Sequence, residues 1–415
     1  MGRRRPPDER QERRSGCVEK QFLILATTSD FLWKFERENV QILQQMGYTV
    51  HYAANLNEPA YLRDREKFRE IGVMAHHIEI ARSPFLVRDN TRALSQLIRI
   101  MRRYGIRTLH CHTPVGGVLG RLAGRILTGH DPVILYTAHG FHFYHGAPLI
   151  NRSIYYRVEK LLARYTDILI LINGEDCQNA RQFRLKKGGS IYRIPGIGLD
   201  RERFHPLSPD ERIQMRHTLG IGEGDFFLLS VGELNDNKNH RIVLDALEQM
   251  RREEPGRFNI RYGICGDGFL RDRLADQIRQ SGLEDTVALY GHRTDIPQLL
   301  GCADASVFPS KREGLGMAGL ESLAVGTPVI ASDNRGTREY MAHGENGFIF
   351  SFRDTGGLIH AIRTMRAMSL EERNAMSARC RACVEPFDKK HTAALMRQIY
   401  EDAAQRAARR EHGTG

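Results

Sequence analysis

No apolar run in the 415 residues approaches the roughly 20 needed to cross a bilayer, so no transmembrane helix is expected. The Arg-rich N-terminus is followed only by Phe22 to Ala26, too short a stretch for the core of a secretory signal, and secretion is not expected. Cysteine is sparse: seven residues, an odd number and scattered, fit a reducing cytoplasm rather than a disulfide framework. Cys380-Arg381-Ala382-Cys383 has no second pair, so the default is a structural thiol pair and not zinc or redox chemistry. The first strand lacks a Gly-x-Gly-x-x-Gly turn with an acidic residue further on, which argues against a Rossmann dehydrogenase. Zinc-finger spacing, an RNP-type aromatic strand and a helix of clustered Lys and Arg are all missing, so nucleic acid is not the expected partner.

What is present is the composition of a soluble globular protein, 41% hydrophobic and 27% charged, in a chain long enough for two domains. Its charge is uneven. Residues 1–200 hold 31 Lys and Arg against 19 acidic residues, whereas residues 201–415 hold 30 against 31, so the net +11 resides in the first half. A basic leader contributes a little and Arg-rich surfaces are often only solvated faces. A basic half beside a neutral one also hints at two different partners. An anionic membrane surface or a diphosphate-linked acceptor suits the basic half.

Residues 1–20 have almost nothing to bury and read as a disordered leader. From Gln21, short apolar runs alternate with helical segments. Strands are expected at Phe22–Ala26, Thr49–Ala54, Thr108–Cys111, Val133–Thr137, Ile168–Ile172 and Ile191–Ile194, with helices at Trp33 to Met46 and Asn90 to Tyr104. After the loop Pro195 to Asp200 the alternation restarts, with strands at Phe226–Val231, Arg261–Cys265, Val287–Tyr290, Ala305–Phe308, Pro328–Ala331 and Gly347–Phe350. This pattern predicts two doubly wound α/β domains, 21–200 and 201–387, whose strand ends surround a cleft. A helix over 388–415 is expected to pack back on the first domain.

The strongest site signal runs from Lys311 to Glu321, after the strand ending at Phe308. A helix starting at about Gly314 would aim backbone N–H groups and its positive end at an anion. Glu321, seven positions after Gly314, would share its face and accept hydrogen bonds from ribose hydroxyls.

Here the sequence resembles a known family. Glu313 and Glu321, with seven residues between them, are framed by Pro309-Ser310 and by Gly326-Thr327-Pro328-Val329-Ile330-Ala331-Ser332. This is similar to the pattern of retaining glycosyltransferase family four, enzymes of the GT-B fold. Val231-Gly232-Glu233-Leu234 with Asn237-Lys238-Asn239, Gly266-Asp267-Gly268 and Gly291-His292-Arg293 resemble its donor domain. Tyr136 to Phe143 and His110-Cys111-His112-Thr113-Pro114 resemble its polysaccharide-building members.

The resemblance implies a retaining hexosyltransferase using a UDP-sugar and no metal or other cofactor. Its acceptor would be a glycan or a polyprenyl-diphosphate-linked sugar in exopolysaccharide or capsule biosynthesis, reached from the cytoplasm by peripheral membrane contact. His139, Glu313 and Lys238 would be catalytic: Glu313 and His139 against the transferred sugar, Lys238 on the leaving diphosphate. Glu321 would bind ribose, Gly314, Leu315 and Gly316 would present amides to the donor, and Gly266 and Arg293 would border the nucleotide. Glu233 departs from the family, which often has Arg there; Arg271 or Arg335 would then help Lys238. Thr27 to Phe31 replace the family's double glycine.

Each feature also has a plainer reading. Histidines 139, 142 and 145 with His110 and His112 raise the question of a metal site. The spacing of the first three suits neither one helix face nor a finger, so no metal is expected and ordinary loop histidines are the default for His142 and His145. Pro84 to Tyr104 reads first as a helix packed on its sheet and only second as a membrane contact. Phe141, Phe143, Tyr144 and Leu149 either fill the edge of a core or meet a lipid-linked acceptor. Rival activities are a UDP-sugar epimerase of the same fold and a non-catalytic nucleotide-sugar or glycan-binding protein.

Overall fold

The computed structural model describes residues 20–58, 66–127, 129, 131–144, 146–147, 149–256 and 258–413. The expected leader falls outside these residues apart from Lys20, as does His145. Two compact units emerge, residues 1–136 with 400–415, and residues 137–399.

The first sheet comprises β1 (Lys20–Thr28), β2 (Tyr48–Asn55), β3 (Val73–His77), β4 (Thr108–Cys111), β5 (Val133–Ala138), β6 (Ile168–Leu171) and β7 (Ser190–Arg193). Their order is β3-β2-β1-β4-β5-β6-β7. Parallel pairing sets Phe22 beside both Val50 and Thr108. The run Phe22 to Ala26 is wholly buried, as a strand covered on both faces must be, which is why it reads as continuous apolar sequence. β3 was not expected from the sequence. Its residues Val-Met-Ala-His-His form an edge strand with only Val73 buried, so no apolar run marks it.

The helix expected over Trp33 to Met46 is present with an altered start. Leu32–Glu36 is a π-helical turn, Arg37–Gln45 is α-helical, and Gly47 ends the segment at φ +82°. The final helix, Lys389–Glu411, contributes its later turns to the first unit. There the Tyr400 ring meets Phe22 edge-on at 5.3 Å, and its hydroxyl lies 3.1 Å from His110 Nδ1.

The second sheet lies wholly in the second unit. It comprises β8 (Phe226–Val231), β9 (Ile260–Cys265), β10 (Val287–Gly291), β11 (Ala305–Phe308), β12 (Val329–Ser332) and β13 (Gly347–Phe350), in the order β10-β9-β8-β11-β12-β13. Every pairing is parallel. The order reverses between β8 and β11, and a doubly wound sheet opens a ligand crevice at such a switch point, beyond the strand C-termini. Lys238 follows β8 and Glu313 follows β11, so topology delivers both to that crevice.

Candidate active site

All nine site residues expected from the sequence fall in the second unit. Lys238 extends from the loop after β8, and its Nζ donates to Glu313 Oε1 at 2.7 Å. The ammonium also lies 5.2 Å from the centre of the Phe308 ring. The loop is fixed from below, where Lys238 N donates to Asn235 Oδ1 at 3.0 Å. Gly266 presses against this segment: a Cβ there would lie 1.9 Å from Gly232 O. Gly266 N donates to Gly291 O at 2.8 Å, which brings the β9 and β10 loops together. Arg293, just beyond, is committed to Asp295 through contacts of 2.8 and 2.5 Å.

The segment after β11 differs from expectation. The helix is Met317–Ala324, and Gly316, at φ +90°, precedes it. Gly314 therefore lies in a loop, and the inference that it shares a helix face with Glu321 is corrected. The left-handed Gly316 cannot continue a right-handed helix backwards. In addition, the loop carbonyls are bound elsewhere: Arg335 Nε donates to Glu313 O at 3.2 Å, Asn173 Nδ2 to Gly314 O at 3.0 Å, and the Tyr340 hydroxyl to Gly316 O at 3.2 Å. Among the described residues, none accepts a hydrogen bond from the N–H groups of Gly314, Leu315 or Gly316. Consecutive free amides ahead of a helix N-terminus form an anion cradle.

The Glu321 carboxylate makes no hydrogen bond to any described residue, although its backbone carbonyl accepts from Val325 N at 3.4 Å. Burial raises its pKa to about 7, against a smaller downward pull from Arg203. His139 comes from the end of β5. A Cβ on Gly314 would lie 1.9 Å from His139 O, so only glycine permits this approach. Burial lowers the His139 pKa to about 4 and keeps the ring neutral at pH 7.

Arg335, one candidate helper of Lys238, is engaged within the chain. Its Nη1 donates to Asp176 Oδ1 at 2.8 Å and its Nη2 to Phe141 O at 2.7 Å, besides Nε to Glu313 O. Each guanidinium nitrogen thus makes one hydrogen bond and Asp176 pairs the charge, so Arg335 braces the loop. Arg271 is exposed, and so is Glu233.

The family description "Glycosyl transferase 4-like" matches residues 22–173, and "Glycosyl transferases group 1" matches residues 211–382. The chain is 40% identical over 346 residues to the glycosyltransferase EpsD of Bacillus subtilis (strain 168), covering 83% of this chain and 87% of that protein. It belongs to the group 1 glycosyltransferases. The UDP-Gal:alpha-D-GlcNAc-diphosphoundecaprenol alpha-1,3-galactosyltransferase of Escherichia coli is 28% identical over 303 residues, 73% of this chain and 76% of that one. HepE of Anabaena, crystallised with UDP-glucose, superposes with a TM-score of 0.72 at 19% identity, over 92% of this chain and 99% of that chain. The fold of this glycosyltransferase is GT-B, as the resemblance implied.

Several residues of the glycosyltransferase escaped the sequence reading. Asn173 and Asp176 brace Arg335 and the 314 loop; Asn173 Oδ1 also caps the helix Gly174–Ala180 by accepting from Asp176 N at 2.8 Å. The Asn-Gly-Glu-Asp run directly after a strand was the available signal. In the first unit Glu36, which the sequence reading did not single out, joins His110 and His112, which it did: the three offer ligand atoms within 4.8 Å of one another, all buried. Glu36 Oε1 lies 3.3 Å from His112 Nδ1, and Asn39 donates to its other oxygen at 2.8 Å. These three residues have the chemistry to hold a cation such as zinc. Burial drives the Glu36 pKa up to about 8.

Phe141 and Phe143 are buried and stacked 4.6 Å apart, so they fill a core edge. The helix Val87–Tyr104 likewise buries Ala93, Leu97 and Met101. Leu149, in contrast, is 78% exposed. No described helix is long and apolar enough to cross a membrane.

Proposed function

We propose that this glycosyltransferase moves a hexose or N-acetylhexosamine from a UDP-sugar to a growing glycan carried on a polyprenyl diphosphate, in exopolysaccharide or capsule assembly. It would work at the cytoplasmic face of a membrane, with retention of anomeric configuration. The carrying observation is that no described residue accepts from the Gly314, Leu315 and Gly316 N–H groups, which stand next to Glu313 and its partner Lys238, with the unpartnered Glu321 carboxylate in the helix that follows. The E. coli relative's name, with its UDP-sugar donor and diphosphoundecaprenol acceptor, supports the choice of substrates, as does UDP-glucose in HepE.

In this reading the cradle amides hold phosphate or sugar oxygens, while Lys238 exchanges part of its pairing with Glu313 for the diphosphate. Charge stabilisation of a leaving group is usually a large part of catalysis. The bond from sugar C1 to the diphosphate oxygen breaks as the acceptor oxygen bonds to C1 on the same face. The acceptor proton passes to the departing phosphate. Neutral His139 contacts the donor sugar as a hydrogen-bonding partner, and Glu313 lies against the same sugar. Glu321 accepts from the ribose hydroxyls, which favours its charged form. Lys238 supplies the positive charge, so transfer needs no divalent ion and survives a chelator.

Calorimetric titration with UDP, GDP, ADP and NAD tests the reading. UDP should bind selectively, and Glu321→Ala should weaken it by roughly tenfold or more, the loss of about 1.4 kcal/mol. Binding of NAD alone, or of no nucleotide, would reject it. Release of UDP with a new glycosidic bond separates transfer from epimerisation.

A further inference from the structure

The helix Leu149–Leu162 turns an apolar stripe outward. Leu149 is 78% exposed, Ile150 71%, Ile154 56%, Val158 38% and Leu161 55%, one third of the fifteen large exposed hydrophobic residues in the described chain. Positions 150, 154, 158 and 161 follow the spacing of one helix face. Glu159, on the far side of the helix from the stripe, is buried, and Leu162 closes the row as its buried end. Arg157 and Lys160, both exposed, line one flank of the stripe, and exposed Arg164 continues that flank just past the helix end. An apolar face with a cationic border is the form of a helix that lies in a bilayer interface.

We infer that this face docks the enzyme on an anionic lipid bilayer. Charge selects that occupant. Residues 149–164 carry Arg152, Arg157, Lys160 and Arg164 against a single acidic residue, the buried Glu159. A second copy meeting the same face would bring two cationic flanks together, which disfavours a symmetric dimer there. Anionic headgroups satisfy both parts of the surface at once, with the apolar stripe in the acyl boundary and the cations at the phosphates. The first unit carries a similar but shorter feature, Phe85 at 83%, Leu86 at 51% and Val87 at 67% exposure, flanked by Arg82 and Arg88. The inference extends the lipid-linked acceptor proposed above but does not depend on turnover.

Sedimentation of the full chain with vesicles tests it, using phosphatidylcholine alone or mixed with phosphatidylglycerol, without sugar donor. The wild type should bind the mixed vesicles, more weakly as salt rises. Ile150→Asp with Ile154→Asp should weaken binding by about tenfold or more. Arg157→Gln with Lys160→Gln and Arg164→Gln should reduce the preference for phosphatidylglycerol several-fold. Unchanged circular dichroism and unchanged UDP affinity would show that the variants are folded. The inference is overturned if wild type and the Asp variant sediment alike, or if neither binds either vesicle. It is equally overturned if sedimentation velocity shows a dimer that the Asp variant dissociates. Vesicle binding that persists in a protein without transferase activity would instead count against the substrate reading alone.

Discussion

Replacing Arg335 by Met should cost this protein several kilocalories per mole, because the substitution strands a buried carboxylate. Asp176 has no exposed surface and Arg335 only 8%, and their contact is 2.8 Å. Removing one member of such a pair typically costs about 3–5 kcal/mol, since the other charge stays buried without its partner. Here the lower end applies. Asp176 keeps hydrogen bonds from Asn173 Nδ2 at 2.8 Å and Phe141 N at 3.1 Å, and it escapes part of the penalty by taking up a proton. Burial already raises its pKa, against the pull of Arg335, and without that arginine the pKa should rise further. The sign follows from linkage. A carboxyl with a raised native pKa holds its proton after the unfolded chain has released it, so stability falls as pH climbs through that window. The deficit of Arg335→Met should therefore be smaller at acid pH than at pH 8. Urea denaturation at both values, for the two single variants and the double variant with Asp176→Asn, measures the effect. A loss of about 3 kcal/mol and a coupling of at least about 1 kcal/mol between the sites are expected. A single variant within about 1 kcal/mol of wild type, with additive effects across the cycle, would refute the view of Arg335 as a buried brace.

Gly314→Ala places a methyl group 1.9 Å from His139 O, so the loop must shift; a stability loss of roughly 1–3 kcal/mol is expected, and an unchanged melting temperature would count against the close approach. Lys238→Met should lower kcat by about 100-fold or more, measured as UDP release, with little change in melting temperature because the pair with Glu313 is partly exposed. Glu36→Gln bears on the buried His pair. The raised Glu36 pKa of about 8, against 4.5 ordinarily, means that wild-type stability should fall as pH rises between those values. The Gln variant should show a flatter melting profile across that range and exceed wild type at pH 8; parallel profiles would contradict this.

The sheet strands were legible because buried parallel strands carry almost no polar residues, as Phe226–Val231 and Ala305–Phe308 show. β3 was not, since an edge strand ending in His76 and His77 has no apolar run to betray it. The chemical residues of the 311–321 segment were visible, yet their geometry was not. Whether a helix starts at Gly314 or after Gly316 depends on a backbone angle that glycine leaves open. Long-range partners were the least legible. Nothing in the sequence near Glu36 announces His112, and nothing near Arg335 announces Asp176. Glu36 closes the π-helical turn after β1 and meets His112 just past β4, while Arg335, after β12, meets Asp176 in the helix after β6.

The later turns of the helix Lys389–Glu411 have a consequence for the order of synthesis. Phe22 and His110 lie in strands made early, but the ring that covers them belongs to Tyr400. A nascent chain that has emerged as far as β5 therefore still lacks one wall of its first sheet. That wall arrives only after the whole of residues 137–399 has been made. Closing so long a loop adds only a logarithmic entropy cost, so the finished unit is not thermodynamically handicapped. The delay is kinetic: an apolar sheet face waits through the synthesis of the second unit, open to aggregation or to a chaperone.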